Sequence, residues 1–225
     1  MKERPILFSG PLVRAILAGE KTETRRLVRR PARCSTASFA DAMLKADQEG
    51  WPGVMKTGPE DGLVWAIRPP YGAAGDVLWV RESWATAASL DDLSPSAIGQ
   101  KAIDAGYSQP WAPVWWMADG GYNNAVSRLG AEDEWGGCGR WRPSIHMPRW
   151  ACRLRLVVTE TRIEPLHAID DAGALREGVD RTNTSIPGYA RTRFERLWDS
   201  INGKRPGAAW EHNPWVWVIR FEVLR

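Results

Sequence analysis

From Trp217 to Val223 the chain reads WVIRFEV, in which Trp217, Ile219, Phe221 and Val223 alternate with Val218, Arg220 and Glu222. A period of two puts these sets on opposite faces of a β-strand. Two earlier segments share the habit. VLWVRESW, Val77 to Trp84, follows a Gly75-Asp76 turn signal, and Leu154, Leu156 and Val158 alternate with Arg153, Arg155 and Val157. Alternating apolar faces need a common core, so the strands within 77–84, 154–161 and 217–223 are predicted to share one curved sheet or barrel. Between them lie helical signals. Pro11 opens a short amphipathic helix carrying Leu12, Val13, Ile16 and Leu17, with Gly19 as its stop, and Glu20 to Arg26 are read as a turn crossing its end. Asp170 or Asp171 can cap a short helix towards Glu177, which Gly178 ends. Ala190, Phe194, Leu197, Trp198 and Ile201 keep the spacing of a helix with one apolar face. Strands and short helices in no regular βαβ order predict an α+β fold, or a small barrel with helices packed on it.

The 225 residues suit one domain, 1–225, with two insertions: about 33–62, whose pattern is irregular, and about 85–140, rich in Gly, Pro, Ala and acidic residues. A composition of 44% hydrophobic and 25% charged residues excludes disorder, a collagen-like repeat and a disulfide scaffold. No apolar run approaches the roughly 18 residues of a membrane span. The start, MKERPILFSGP, carries too short an apolar part for a signal peptide, which predicts a cytosolic protein. Cys34, Cys138 and Cys152 form no CxxC pair, and with only His146, His167 and His212 beside them no metal or other cofactor is expected.

Charge is unevenly spread behind a net value of +3. Nine basic residues face three acidic ones from Met1 to Cys34, and six arginines face Glu160 alone from Arg140 to Arg162. Between Ala85 and Gly139 two basic residues oppose seven acidic ones. A basic face and an acidic lobe follow, and a basic face suits a phosphate-bearing partner as well as plain solvation. Candidate phosphate contacts are Arg25, Arg26, Arg29, Arg149 and Arg153. Among fourteen tryptophans, several of which sit in strand-like segments, Trp141 and Trp150 lie among arginines and are candidates for stacking on bases.

The densest polar constellation is AILAGEKTETRR, where Lys21, Thr22, Thr24, Arg25 and Arg26 bring an amine, two hydroxyls and two guanidiniums within six positions. This segment resembles the ASCH family of PUA-like proteins, in which a helix ending in Gly is followed by Lys-Thr and a nearby Arg. GDVLWVRESW (Gly75–Trp84) looks like the family's Gly-Asp turn and barrel strand. WRPSIHMPRWACRLRLVV (Trp141–Val158), LREGV (Leu175–Val179), FERLWDSING (Phe194–Gly203) and NPWVWVIRFE (Asn213–Glu222) resemble its phage and prophage branch. The resemblance covers about 120 residues in ordered blocks and neither insertion. It implies a small PUA-like β-barrel with flanking helices whose cleft faces RNA, DNA or a modified nucleoside. One branch removes the acetyl group of N4-acetylcytidine with a lysine, a threonine and a glutamate. Lys21 and Thr24 match the first two, and Glu177 falls where the glutamate is expected. Those enzymes are about half this length and lack the tryptophan-rich insertions.

Amide hydrolysis needs a nucleophile, a base and a positive group for the oxyanion. Thr24 could attack if Lys21, neutral after a large pKa depression, took its proton; a charged Lys21 would face the oxyanion and leave Glu177 to activate water. The sequence leaves both open. A carboxylate in the last turn of a helix faces the negative end of the macrodipole, an unfavourable placement that suits either a functional role or a salt bridge to Arg176, Arg181 or an arginine of the basic face. Three readings follow: a module binding nucleic acid or a modified nucleoside, an amidohydrolase using Lys21, Thr24 and Glu177, and a ribonuclease using Lys21 with a hydroxyl neighbour.

Overall fold

The computed structural model describes residues 1–30, 36–48, 69–120, 137–183 and 185–224. In chain order the regular elements are β1 (Glu3–Leu7), α1 (Gly10–Leu17), β2 (Glu23–Leu27), α2 (Thr36–Gln48), β3 (Val77–Arg81), β4 (Trp84–Thr86), α3 (Pro95–Asp104), β5 (Val114–Trp116), β6 (Arg155–Pro165), α4 (Asp171–Arg176), α5 (Tyr189–Asn202) and β7 (Trp215–Val223). Five strands form a sheet in the order β1-β3-β6-β7-β2, and β4 and β5 form a second, two-stranded one. The fold is therefore mixed α+β, and the three strands expected together, β3, β6 and β7, are neighbours. Among the described residues the sheet is open, with β1 and β2 at its ends. None of the described helices is long and apolar enough to cross a membrane.

The chain divides into two compact units: residues 1–2, 18–77 and 157–222 form the first, and 3–17, 78–156 and 223–225 the second. In the first unit, Ala190, Phe194 and Trp198 of α5 lie one above another at helical spacing and pack with Val216 and Val218 of β7 and with Leu166, Ile169, Ala174, Val179 and Trp210. Burial of each large side chain here stabilises by roughly 1.5 to 3 kcal/mol. Ile201, expected in the same stripe, is exposed; the buried residue of that turn is Asn202, whose amide donates to the Trp198 carbonyl at 3.3 Å. Asp170 caps α4 through Gly173 N–H at 2.7 Å, and Gly178 beyond it takes φ 81°, which a residue without Cβ adopts without strain.

In the second unit β4 pairs antiparallel with β5, Trp84 opposite Trp116. Trp84 is buried against Val114, Met147 and Ala151, and Trp150 meets it edge to face at 5.9 Å. The segment read as an insertion from 85 to 140 thus supplies most of β4, α3 and β5. Of the segment 33–62, α2 is described, and residues 33–35 and 49–62 lie outside the described residues.

Candidate functional site

The turn expected from Glu20 to Arg26 is in fact the entry into strand β2, whose ETRRL sequence hides its period behind polar residues. β2 lies antiparallel to β7, with Glu23 opposite Arg220, Thr24 opposite Ile219 and Arg25 opposite Val218. The pleat places Glu23 and Arg25 on one face and Thr24 and Arg26 on the other. The loop before β2 caps the C-terminus of α4: Thr22 N–H donates to the Arg176 carbonyl at 2.9 Å, and Lys21 Nζ donates to the Glu177 carbonyl at 2.7 Å. Nζ also donates to the Glu23 carbonyl and to Glu177 Oε2, each at 2.7 Å. The carboxylate at the unfavourable helix end is thus answered by a lysine that satisfies both its side chain and its carbonyl.

Lys21 and Glu177, 156 positions apart, therefore meet, with 1% and 4% of their surfaces exposed. Burial pushes the Lys21 ammonium below its usual pKa, Glu177 pulls it back up, and the Arg26 and Arg25 charges lower it further. One acceptor for each of its three N–H groups favours the charged form.

Glu177 Oε1 lies 3.3 Å from Arg25 NH1. The guanidinium of Arg25 holds Glu164 Oε1 through Nε (3.0 Å) and NH2 (2.7 Å), approaches Glu23 Oε1 at 2.8 Å and sits 5.8 Å from the Phe194 ring centre. Glu23 has no exposed side-chain surface. Burial alone would raise its pKa, but Arg25, a hydrogen bond from Arg220, and Arg162 and Arg176 hold it below the ordinary carboxylate value. Glu160, Arg162 and Glu164 share one face of β6 at period two and extend the network, with Arg162 donating to Glu160 and to Glu164 at 3.0 Å each.

Thr24 is buried, and it forms no hydrogen bond or ion pair with Lys21 or Glu177 among the described residues. Arg25 was expected as a phosphate contact; it is buried and committed to three carboxylates. Arg26 is half-buried, and desolvation lowers its pKa, opposed by Tyr71 and Glu177. Arg29 is exposed. Arg149 and Arg153 belong to the other unit. Arg149 is paired in a fork with Glu3 at 2.8 and 3.0 Å. Arg153 forks onto Glu82 at 2.9 Å, bonds Asp119 and covers the Trp116 ring at 4.5 Å. Trp150 is half-buried between two apolar clusters and acts as a wedge, whereas Trp141 is exposed. Among the described residues no group of histidine, cysteine and acidic side chains could hold a metal.

Sequence reasoning missed Glu23, Glu160 and Glu164. Their signal was present in Glu160, Arg162 and Glu164 at strand spacing, read only for its apolar partners. Comparison with protein-family models, curated proteins and solved structures finds no match.

Proposed function

We propose that this is an ASCH-type, PUA-like protein that binds a modified nucleoside, free or within RNA or DNA, and hydrolyses an N-acyl group from it, with N4-acetylcytidine the substrate to test. The observation that carries this reading is the buried contact of Lys21 with Glu177, two of the three residues that the resemblance to the amidohydrolases names. The resemblance also implies barrel closure around the five-stranded sheet. Commitment of Arg25, Arg149 and Arg153 to carboxylates leaves fewer arginines for a nucleic-acid backbone and favours recognition of the base.

Of the two chemical arrangements, the charged lysine fits better. Lys21 is surrounded by acceptors, and among the described residues no base is bonded to the Thr24 hydroxyl. Glu177 would take a proton from water as the oxygen adds to the acyl carbon, the Lys21 ammonium would turn one N–H from its present acceptor to the oxyanion, and Glu177 would return the proton to the departing amine. The products are a carboxylic acid and the free nucleoside.

Incubation with N4-acetylcytidine, followed by chromatography of cytidine, tests this. Glu177→Gln should lose at least about a hundredfold in kcat, as expected for a general base. Thr24→Ala should retain turnover, since it removes neither base nor charge; loss of turnover in Thr24→Ala with affinity intact would return the nucleophile to threonine. No release of cytidine by the wild type would refute the hydrolase.

A further inference from the structure

Three arginines from three elements converge on one buried oxygen. Arg220 Nε of β7, Arg176 Nε of α4 and Arg162 NH1 of β6 lie 2.8, 3.4 and 3.7 Å from Glu23 Oε2. Glu160 bridges two of them, to Arg162 NH1 at 3.0 Å and to Arg220 NH1 at 2.9 Å. Glu23 has no exposed side-chain surface, whereas the side chains of Arg162, Arg176 and Arg220 are 25%, 36% and 41% exposed. The carboxylates therefore hold one edge of each guanidinium. The remaining donors, NH2 of Arg162, NH2 of Arg220 and both terminal nitrogens of Arg176, have no partner among the described residues. Five cations of the network (Lys21, Arg25, Arg162, Arg176 and Arg220) face four carboxylates (Glu23, Glu160, Glu164 and Glu177). Lys21 and Arg25 are buried, so the surplus positive charge falls to the three half-buried arginines.

We infer that Arg162, Arg176 and Arg220 form a binding site for a phosphate group. Guanidiniums offer forked donors that match phosphate oxygens, and side chains already fixed by carboxylates lose little further freedom when the ligand arrives. Several forked donors, supplied by three elements, suit the many oxygens of a tetrahedral oxyanion better than a planar carboxylate. The phosphate can be the terminal group of a nucleotide or a diester within a strand. The site stands whether or not Glu177 activates water.

Titration calorimetry of the full chain with inorganic phosphate, cytidine, cytidine 5′-monophosphate and a short oligocytidylate without terminal phosphates tests it. The monophosphate should bind at least about tenfold tighter than cytidine, and inorganic phosphate should compete with it. Arg176→Gln should weaken phosphate-bearing ligands about tenfold, or about 1.4 kcal/mol. Arg176→Lys, which keeps the charge and loses the fork, should weaken them too, while Arg196→Gln, on the exposed part of α5, should change nothing. Arg220→Gln repeats the test should Arg176 variants unfold. Tighter binding of the monophosphate than of the oligomer assigns a terminal phosphate, and the reverse assigns a diester; either supports the site. Equal affinity for cytidine and its monophosphate, or equal losses in Arg176→Gln and Arg196→Gln, would overturn it. Phosphate binding without turnover of N4-acetylcytidine would refute the hydrolase alone, and turnover without phosphate preference this site alone.

Discussion

Replacing Lys21 by methionine keeps most of the side-chain volume and removes the ammonium. Glu177 Oε2 and the carbonyls of Glu23 and Glu177, each 2.7 Å from Nζ, then lose their donor in a site where Lys21 is 1% exposed. Removing one member of a buried ion pair costs about 3 to 5 kcal/mol. Arg25 NH1, 3.3 Å from the other Glu177 oxygen, retains part of the attraction, which places the expected cost near the lower end, about 3 kcal/mol. Thr22 N–H to the Arg176 carbonyl and Phe221 N–H to the Thr22 carbonyl report on the same junction. Their hydrogen-exchange protection should fall roughly a hundredfold, since each 1.4 kcal/mol is a factor of ten. In the Lys21→Met, Glu177→Gln pair of variants, the double variant should be milder than the sum by at least about 1 kcal/mol, because each single change leaves a buried partner that the double change removes. Additive effects, or a Lys21→Met cost below about 1 kcal/mol, would show that the contact does not hold α4 to β2 and would refute this reasoning.

The arginines hold Glu23 with a pKa below that of an unfolded glutamate, so the stability it contributes is present above the unfolded value and is lost as pH falls through the folded one. Glu23→Gln should therefore be less stable at neutral pH and flatten the acid limb of a stability profile; an unchanged limb would sink the assignment. In α3, a Cβ on Gly99 would lie 2.9 Å from Trp150 Nε1 and 3.1 Å from Pro110 Cβ, so Gly99→Ala should destabilise the second unit by about 1 to 3 kcal/mol in urea melts. Trp150→Ala should cost about 3 kcal/mol in the same melts and leave nucleoside affinity unchanged, whereas a base-stacking residue would do the reverse.

The three strands legible in the sequence were those with alternating apolar residues, and α4 and α5 were legible from a cap, a glycine stop and a stripe. β2 was not, because Glu23 and Arg25 are buried charges that pair with each other and with groups 139 to 197 positions away. A pattern rule that equates buried with apolar reads such a strand as a turn. β4, α3 and β5 escaped notice for a different reason. Short elements among glycine, proline and acidic residues draw their regularity from packing on Trp84, Trp115 and Trp150, which no local period announces. Lys21 and Glu177 were found through motif resemblance, and the carboxylates around Arg25 required the register of the sheet. Arg25 shows the cost of reading charge as surface: five arginines within nine positions look like a solvent-facing patch, yet one of them is buried and neutralised.

The two units are interleaved along the chain, and the Glu23 to Arg220 contact spans 197 positions. Synthesis on the ribosome proceeds from the amino end, so β2 must wait for β7 before its buried glutamate meets the Arg220 guanidinium. Until then ETRRL is an edge with unmatched charge, which keeps it solvated and slow to pair wrongly. Assembly of the first unit is thus deferred until residues near 220 have emerged. Non-local pairing of this kind favours slow folding. A nascent chain arrested after residue 156 holds two residues of β6 and none of β7, and only its second unit has nearly all of its parts.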